Sequence, residues 1–251
     1  MTNSSNTPKV ALVTDASHFV GPPGLRALTK AGFTCLAVDD SFANPETRAG
    51  FEAGFEGVTA LDPDTPEALI GAIESSHGRL DALVSNDAYP ADRVIYFEED
   101  LSALDAKFKQ AVDRIVTRPF ALIAAAARLM KKTGGGRVVA VSSAAPLQGL
   151  VNYSVYVAAR GAQNGMIRTL ALELGPHNIT INALAPNFVK SPTYFPDELL
   201  DNPEIHAKIV KNIPVGRLGE PAEAGETIAF LAGDHGGFIT GHVLPFSGGW
   251  A

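Results

Sequence analysis

Tyr156 and Arg160 stand four positions apart in a stretch of helical period, and Ser143 lies upstream of them, just past a β-branched run. That separation places the phenol and the guanidinium on one helical face, about one turn apart. A phenol, with a pKa of about 10 in water, is a poor base at neutral pH, but an adjacent guanidinium favours the phenolate through its charge and hydrogen bonds. Arginine stays protonated, so it acts as a fixed cation and not as a proton carrier. Ser143, at a strand end facing the helix, is placed to hold a substrate oxygen beside the phenol. A Tyr-x-x-x-Arg pair alone is an ordinary helix face. Its weight here comes from the strand that must end at Ser143 and the helix that must carry Tyr156.

Short β-branched runs at 10–14, 34–38, 82–85, 137–142 and 180–185 read as strands. They alternate with helical candidates at 23–31, 66–76, 101–117, 120–132, 153–174 and 221–231. Strands that are apolar nearly throughout predict a parallel sheet covered on both faces. The expected fold is therefore α/β: a single Rossmann-like, doubly wound domain over residues 1–251, with ligands bound beyond the carboxyl ends of the strands. A length of 251 residues, 46% of them hydrophobic, supports one large core. Between Pro186 and Pro203 four prolines alternate with Phe188, Tyr194 and Phe195, a loop suited to wall an active site.

Charge and cysteine usage narrow the partners. Twenty Lys and Arg against 27 Asp and Glu leave a net charge of -7, which disfavours nucleic acid or an anionic membrane and favours a small neutral or polar substrate. Cys35 is the single cysteine, so no intrachain disulfide or cysteine zinc cluster is expected, and its apolar run reads as a buried, inert thiol. The first eight residues are polar and unlike a secretion signal. Every apolar run breaks well short of the roughly 18 residues that cross a bilayer, so a cytoplasmic location with no membrane span is expected.

The run 10–14, Ser142-Ser143, the Tyr156 helix and Asn182-Ala-Leu-Ala-Pro186 together make the whole chain resemble the short-chain dehydrogenase/reductase superfamily. There a Ser, a Tyr and a Lys four residues after the Tyr catalyse hydride transfer with a bound nicotinamide. Arg160 departs from that lysine, which in the superfamily also holds the nicotinamide ribose. The loop after the first strand departs further. Of the expected Gly-x-x-x-Gly-x-Gly, Thr14-Asp-Ala-Ser-His-Phe-Val-Gly21 keeps only Gly21, with Asp15 and Phe19 at the other two positions. Dinucleotide binders need those glycines for a tight turn and for close approach of the pyrophosphate. A phenyl ring fills that space, a carboxylate repels phosphate, and Pro22 and Pro23 remove N–H donors at the helix start.

Both departures resemble one family, the halohydrin dehalogenases. Its signatures Thr-x4-Phe/Tyr-x-Gly and Ser-x12-Tyr-x3-Arg match without a gap at Thr14, Phe19 and Gly21 and at Ser143, Tyr156 and Arg160. The resemblance implies a lyase that needs no cofactor and converts vicinal haloalcohols to epoxides plus halide. Tyr156 would take the hydroxyl proton, Arg160 would lower the Tyr pKa, and Ser143 would hold the oxygen. In reverse, halide, azide, cyanide or nitrite would open the epoxide. By similarity, backbone N–H groups of Phe188 and Val189 face the halide, and Phe19, Pro186 and Asn187 wall its pocket. A buried halide needs such donors to offset its desolvation. The relatives are mostly tetramers, so a homotetramer is expected, joined through the helices near 120–132 and 153–174. In relatives the C-terminal end can reach a neighbouring subunit's pocket, a role open here to Trp250.

Asp39 and Asp40 end the second strand, where dehydrogenases keep an acid for the ribose. Beside a blocked phosphate loop they read as inherited or as helix-capping groups. Asp87 falls near enough to orient Arg160 or a proton-path water. Two alternatives stay open: an NAD(P)-dependent oxidoreductase with unusual residues, and a silent structural or sensing protein on a fold that has lost its cofactor.

Overall fold

The computed structural model describes residues 8–251. Strands β1 (Val10–Val13), β2 (Thr34–Val38), β3 (Val58–Leu61), β4 (Ala82–Ser85), β5 (Gly136–Val141), β6 (Ile179–Pro186) and β7 (Val243–Phe246) form one sheet. Its order is β3-β2-β1-β4-β5-β6-β7, and every neighbouring pair is parallel. The order reverses beside β1, which leaves a crevice at the carboxyl ends of β1 and β4.

Both faces of the sheet are dry. Along β1, Val10 and Leu12 enter one core with Leu36, Leu83, Ile123 and Ile167, while Ala11 and Val13 enter the other with Leu25, Val84 and Ile228. Strand period two makes this division, and it is why strands apolar throughout signal a sheet with two covers. Helices α1 (Gly21–Lys30), α2 (Pro45–Ala53), α3 (Pro66–His77), α4 (Leu101–Val112) and α5 (Arg118–Thr133) precede β5. After it come α6 (Ala145–Gln148), α7 (Ser154–Leu174), α8 (Asp197–Leu200), α9 (Pro203–Val210) and α10 (Pro221–Ala232). The first core is closed by α3, α5 and α7, the second by α1 and α10. Each large aliphatic side chain fully removed from water contributes about 1.5–3 kcal/mol.

The five strands expected from the sequence are present, and β3 and β7 are added at the two edges. β3 is short and buries only alternate residues. β7 carries Pro245, which cannot donate to a ladder and is tolerated because an edge strand has one neighbour. α2 buries no residue, so it left no apolar stripe to read. The expected break between 117 and 120 is absent. α4 instead passes through a π turn at Asp113–Thr117 into α5, with the Arg118 N–H bonded to the Asp113 carbonyl five residues back. The widened turn accommodates Pro119 without ending the helix. Among the described residues no helix is long and apolar enough to cross a membrane, and Cys35 is a buried free thiol.

Candidate active site

Ser142 and Ser143 follow β5, and Ser143 sits at the entrance to α6, where its Oγ accepts the Ala145 N–H at 3.1 Å. Tyr156 and Arg160 are on the buried face of α7, one turn apart as the spacing requires. The Arg160 guanidinium carbon lies 5.3 Å from the centre of the Tyr156 ring. Its Nη1 donates to the Val141 carbonyl at 2.8 Å and to Gln163 Oε1 at 3.1 Å, and its Nη2 donates to the Asp87 carbonyl at 2.8 Å. The cation is thereby tied to the carboxyl ends of β5 and β4. Arg160 is only 2% exposed. Burial works against its charge, but Tyr156, Tyr194 and Asp87 around it outweigh that and raise its pKa. Its Nε has no partner among the described residues.

Asp87 sits directly behind this cation. Its carboxylate accepts the Ser85 hydroxyl at 2.6 Å and the Gln163 amide at 2.7 Å, so Gln163 links Asp87 to Arg160. Full burial pushes the Asp87 pKa up to about 7, against the lowering effects of Ser85 and Arg160. Sequence reasoning placed Asp87 near Arg160; it missed Gln163, which sits one turn beyond Arg160 and looks like any polar residue on a helix.

The glycine-poor loop folds as a glycine-rich one would. Asp15 and Phe19 have φ of 42° and 46°, the left-handed region that favours glycine. At Gly21 a side chain is excluded, since an added Cβ would lie 2.6 Å from the Ala16 carbonyl oxygen. Asn86 braces the turn, its amide donating to the carbonyls of Asp15 and His18 at 2.9 and 2.8 Å. Asp15 takes the Ala88 N–H at 2.7 Å, and Arg114 from the π turn approaches Asp15 at 3.7 Å while bonding Asp40 at 2.7 Å. A pyrophosphate needs free N–H donors and open space here. The loop offers an acid already engaged and a phenyl ring, so the residues present do not fit a bound dinucleotide. Asp39 is likewise engaged. It accepts from the N–H and hydroxyl of both Ser17 and Ser41, and it caps the short turn Asp40–Ala43. Burial would raise its pKa, but these donors hold it below the usual value.

Ser143, Tyr156, Phe19, Pro186, Asn187, Phe188 and Val189 line one cavity of ≈ 500 Å³. Pro186 closes β6, and the chain turns at Phe188 with φ of 55°. The buried Val189 N–H has no hydrogen-bond partner among the described residues, whereas the Phe188 N–H is given to Asn187 Oδ1 at 2.9 Å. Of the two expected anion donors, one is free and the other is held by its neighbour. The proline-rich loop is a wall, as expected. Tyr194 lays its ring edge-on to Phe19 with centroids 4.8 Å apart and donates its hydroxyl to the Tyr89 carbonyl at 2.8 Å. Burial pushes that hydroxyl's pKa up. Phe188 is flanked by Phe195 at 5.6 Å and Trp250 at 5.7 Å. Trp250 packs edge-on against Phe188 of its own chain, at the end of a turn where Gly248 and Gly249 both adopt positive φ (60° and 88°).

A family model described as enoyl-(acyl carrier protein) reductase matches residues 29–251. The chain is 31% identical over 252 residues to the short-chain reductase protein NovJ of Streptomyces niveus, covering 96% of this chain and 93% of that protein. It is 29% identical over 245 residues to the 3-oxoacyl-[acyl-carrier-protein] reductase FabG of Haemophilus influenzae, covering 96% and 97%. Among solved structures, one named a dehalogenation enzyme superposes with a TM-score of 0.92 at 45% identity, covering 98% of this chain and 99% of that one. The halohydrin dehalogenase HheC bound to ethyl (2S)-oxiran-2-ylacetate superposes with a TM-score of 0.90 at 32% identity, covering 96% of each chain.

Proposed function

The chain belongs to the halohydrin dehalogenase family of the short-chain dehydrogenase/reductase superfamily, and from that premise we propose that it converts vicinal haloalcohols to epoxides and halide without a nicotinamide. The observation that carries the proposal is the shared cavity: the oxygen-handling pair Ser143 and Tyr156 lines the same space as Phe19 and Val189, whose N–H has no partner among the described residues.

Tyr156, beside the Arg160 cation, accepts the proton of the substrate hydroxyl, and the Ser143 hydroxyl holds the oxygen. The alkoxide attacks the adjacent carbon. A carbon–oxygen bond forms, the carbon–halogen bond breaks, and halide leaves with the electron pair. The halide is received by the Val189 N–H in the corner walled by Phe19, Pro186, Asn187 and Phe188, where few water molecules compete. In reverse, an anion such as halide, azide, cyanide or nitrite enters that corner and Tyr156 returns the proton. Gln163 and Asp87 position Arg160, and Asp87 is the nearest buried group able to exchange a proton behind it.

The proposal extends to a cytoplasmic homotetramer. Phe120 on α5 is half exposed at the groove between α5 and α7, which Ala127, Leu170 and Leu174 also line, a surface that association would cover.

Halide release from a panel of vicinal haloalcohols, with no cofactor added, tests the activity. The competing reading, an NAD(P)-dependent oxidoreductase, is favoured by the curated reductases the chain resembles. Tight NADH binding with turnover at its absorbance band would establish that reading and overturn ours.

A further inference from the structure

The loop at 14–21 borders two cavities. Phe19 lines the reaction cavity, whereas Thr14 and Asp15 line a second one of ≈ 470 Å³ at the carboxyl ends of β1, β2 and β4. Five carboxylates line that second cavity, from Asp15, Asp39, Asp40, Asp64 and Asp87, against two cations, Arg114 and Arg118. Three of the acids are satisfied by hydrogen bonds: Asp39 by Ser17 and Ser41, Asp64 by the Thr65 N–H, and Asp87 by Ser85 and Gln163. Arg118 turns to Asp113 at 2.9 Å and reaches Asp40 only at 4.0 Å. Asp15 accepts one N–H, from Ala88, and Arg114 is its one paired cation among the described residues.

Burial raises the Asp15 pKa, Asp39 and Asp40 raise it further, and Arg114 is the strongest influence in the other direction. Removing one partner of a largely buried pair leaves a charge uncompensated. Asp15 could relieve it by moving toward water in the second cavity, and the turn would move with it. The His18 N–H donates to the Asp15 carbonyl at 2.9 Å, and the Gly21 N–H donates to the His18 carbonyl at 2.8 Å. Phe19 lies between them at a φ of 46°, a backbone that holds only while its neighbours enforce it. We infer that Arg114 is a positioning residue for the anion corner: by pairing with the Asp15 carboxylate it holds the turn whose far end sets the Phe19 ring in that corner. The inference rests on the dehalogenase reading and adds a control on anion binding from outside the reaction cavity.

The test is azide opening of 1,2-epoxybutane by the parent, Arg114→Ala, Asp15→Asn and the double variant. Asparagine tolerates a left-handed backbone and can still accept the Ala88 N–H, but it carries no charge. Arg114→Ala should raise the KM for azide about five- to tenfold, the scale of coupling between residues in contact, with kcat changed less than about twofold. Arg114→Lys should restore most of the difference. Asp15→Asn should leave the KM within about twofold of the parent, and adding Arg114→Ala to it should change little more. Arg114→Gln, which keeps much of the stem, repeats the comparison should the alanine variant not fold. An Arg114 effect of equal size with and without the Asp15 carboxylate overturns the inference, and so does an azide KM that is flat across the variants; either leaves the dehalogenase reading standing. A parent that neither opens the epoxide nor releases halide from a haloalcohol removes that reading and the inference with it.

Discussion

Replacing Asp87 by Asn isolates the one buried carboxylate behind the Arg160 cation. Asp87 ordinarily would ionise near 3.8, and its surroundings push it up to about 7. Between those two values the native state holds a proton that the unfolded chain has released, so stability falls as pH rises through that window and levels off above about 7. Each tenfold change in proton affinity is about 1.4 kcal/mol, so this group alone removes about 4 kcal/mol between pH 4 and pH 8. The amide cannot titrate. Its Oδ1 can accept the Gln163 amide and its Nδ2 can donate to the Ser85 hydroxyl, so what the substitution changes at this site is its titration. The unfolding free energy of Asp87→Asn relative to the parent should therefore climb by about 4 kcal/mol between pH 4 and pH 8. Urea unfolding followed by far-UV circular dichroism at half-unit pH steps measures it. Parallel profiles for the two proteins would refute the reasoning, because they would mean that Asp87 ionises alike in the folded and unfolded chain.

Other perturbations probe the neighbouring groups. Tyr156→Phe should lower halide release by at least about 100-fold, the scale of a lost acid–base group, with an unchanged urea midpoint; near-normal turnover would remove Tyr156 from its role. Arg114→Ala strips Asp15 of its nearest cation, and the pair's partial exposure limits the expected loss to about 1–2 kcal/mol, read from the same urea curves. Trp250→Ala removes one flank of Phe188, an edge-on contact of about 0.5–1.5 kcal/mol. In the ring-opening direction the KM for azide should rise about three- to tenfold, and Trp250→Phe should restore most of the difference. Trp250 is the single tryptophan, so Phe188→Ala should also shift its emission maximum.

The parts of the site that could be read from the sequence are those whose geometry the covalent chain itself sets. Tyr156 and Arg160 share a helical face because of their spacing, and Ser143 follows a strand whose apolar run ends just before it. The dense prolines after 186 marked a stiff loop, and the acids at 39 and 40 marked a cap. Contacts made between distant segments carried no such mark. Tyr194 meets Phe19 across the sheet's carboxyl edge, and Leu150 and Tyr153 meet Pro90 and Ala91 through a tie between two irregular segments. Arg114 was hidden for a different reason. The sequence divides this stretch into helices at 101–117 and 120–132, whereas the structure runs through a π turn at 113–117 from which Arg114 reaches Asp15.

The loop at 14–21 ties the two departures from the dehydrogenase pattern into one. Asp15 and Phe19 hold a left-handed backbone that costs a side-chain-bearing residue about 1–2 kcal/mol, so the turn of a dinucleotide binder has outlasted its glycines. Such strain persists only where the surroundings hold it. Asn86 grips two carbonyls of the loop, Ala88 donates to Asp15, and Tyr194 braces the Phe19 ring. Tyr194 belongs to the loop that follows Pro186, so the ring that fills pyrophosphate space also joins the wall of the anion corner. Phe19→Gly would relax the backbone, yet it would open the anion corner and leave the Asp15 carboxylate facing any incoming phosphate. Accommodating a pyrophosphate at this loop would thus require changing at least two residues at once, and the change at Phe19 opens the pocket proposed for the halide.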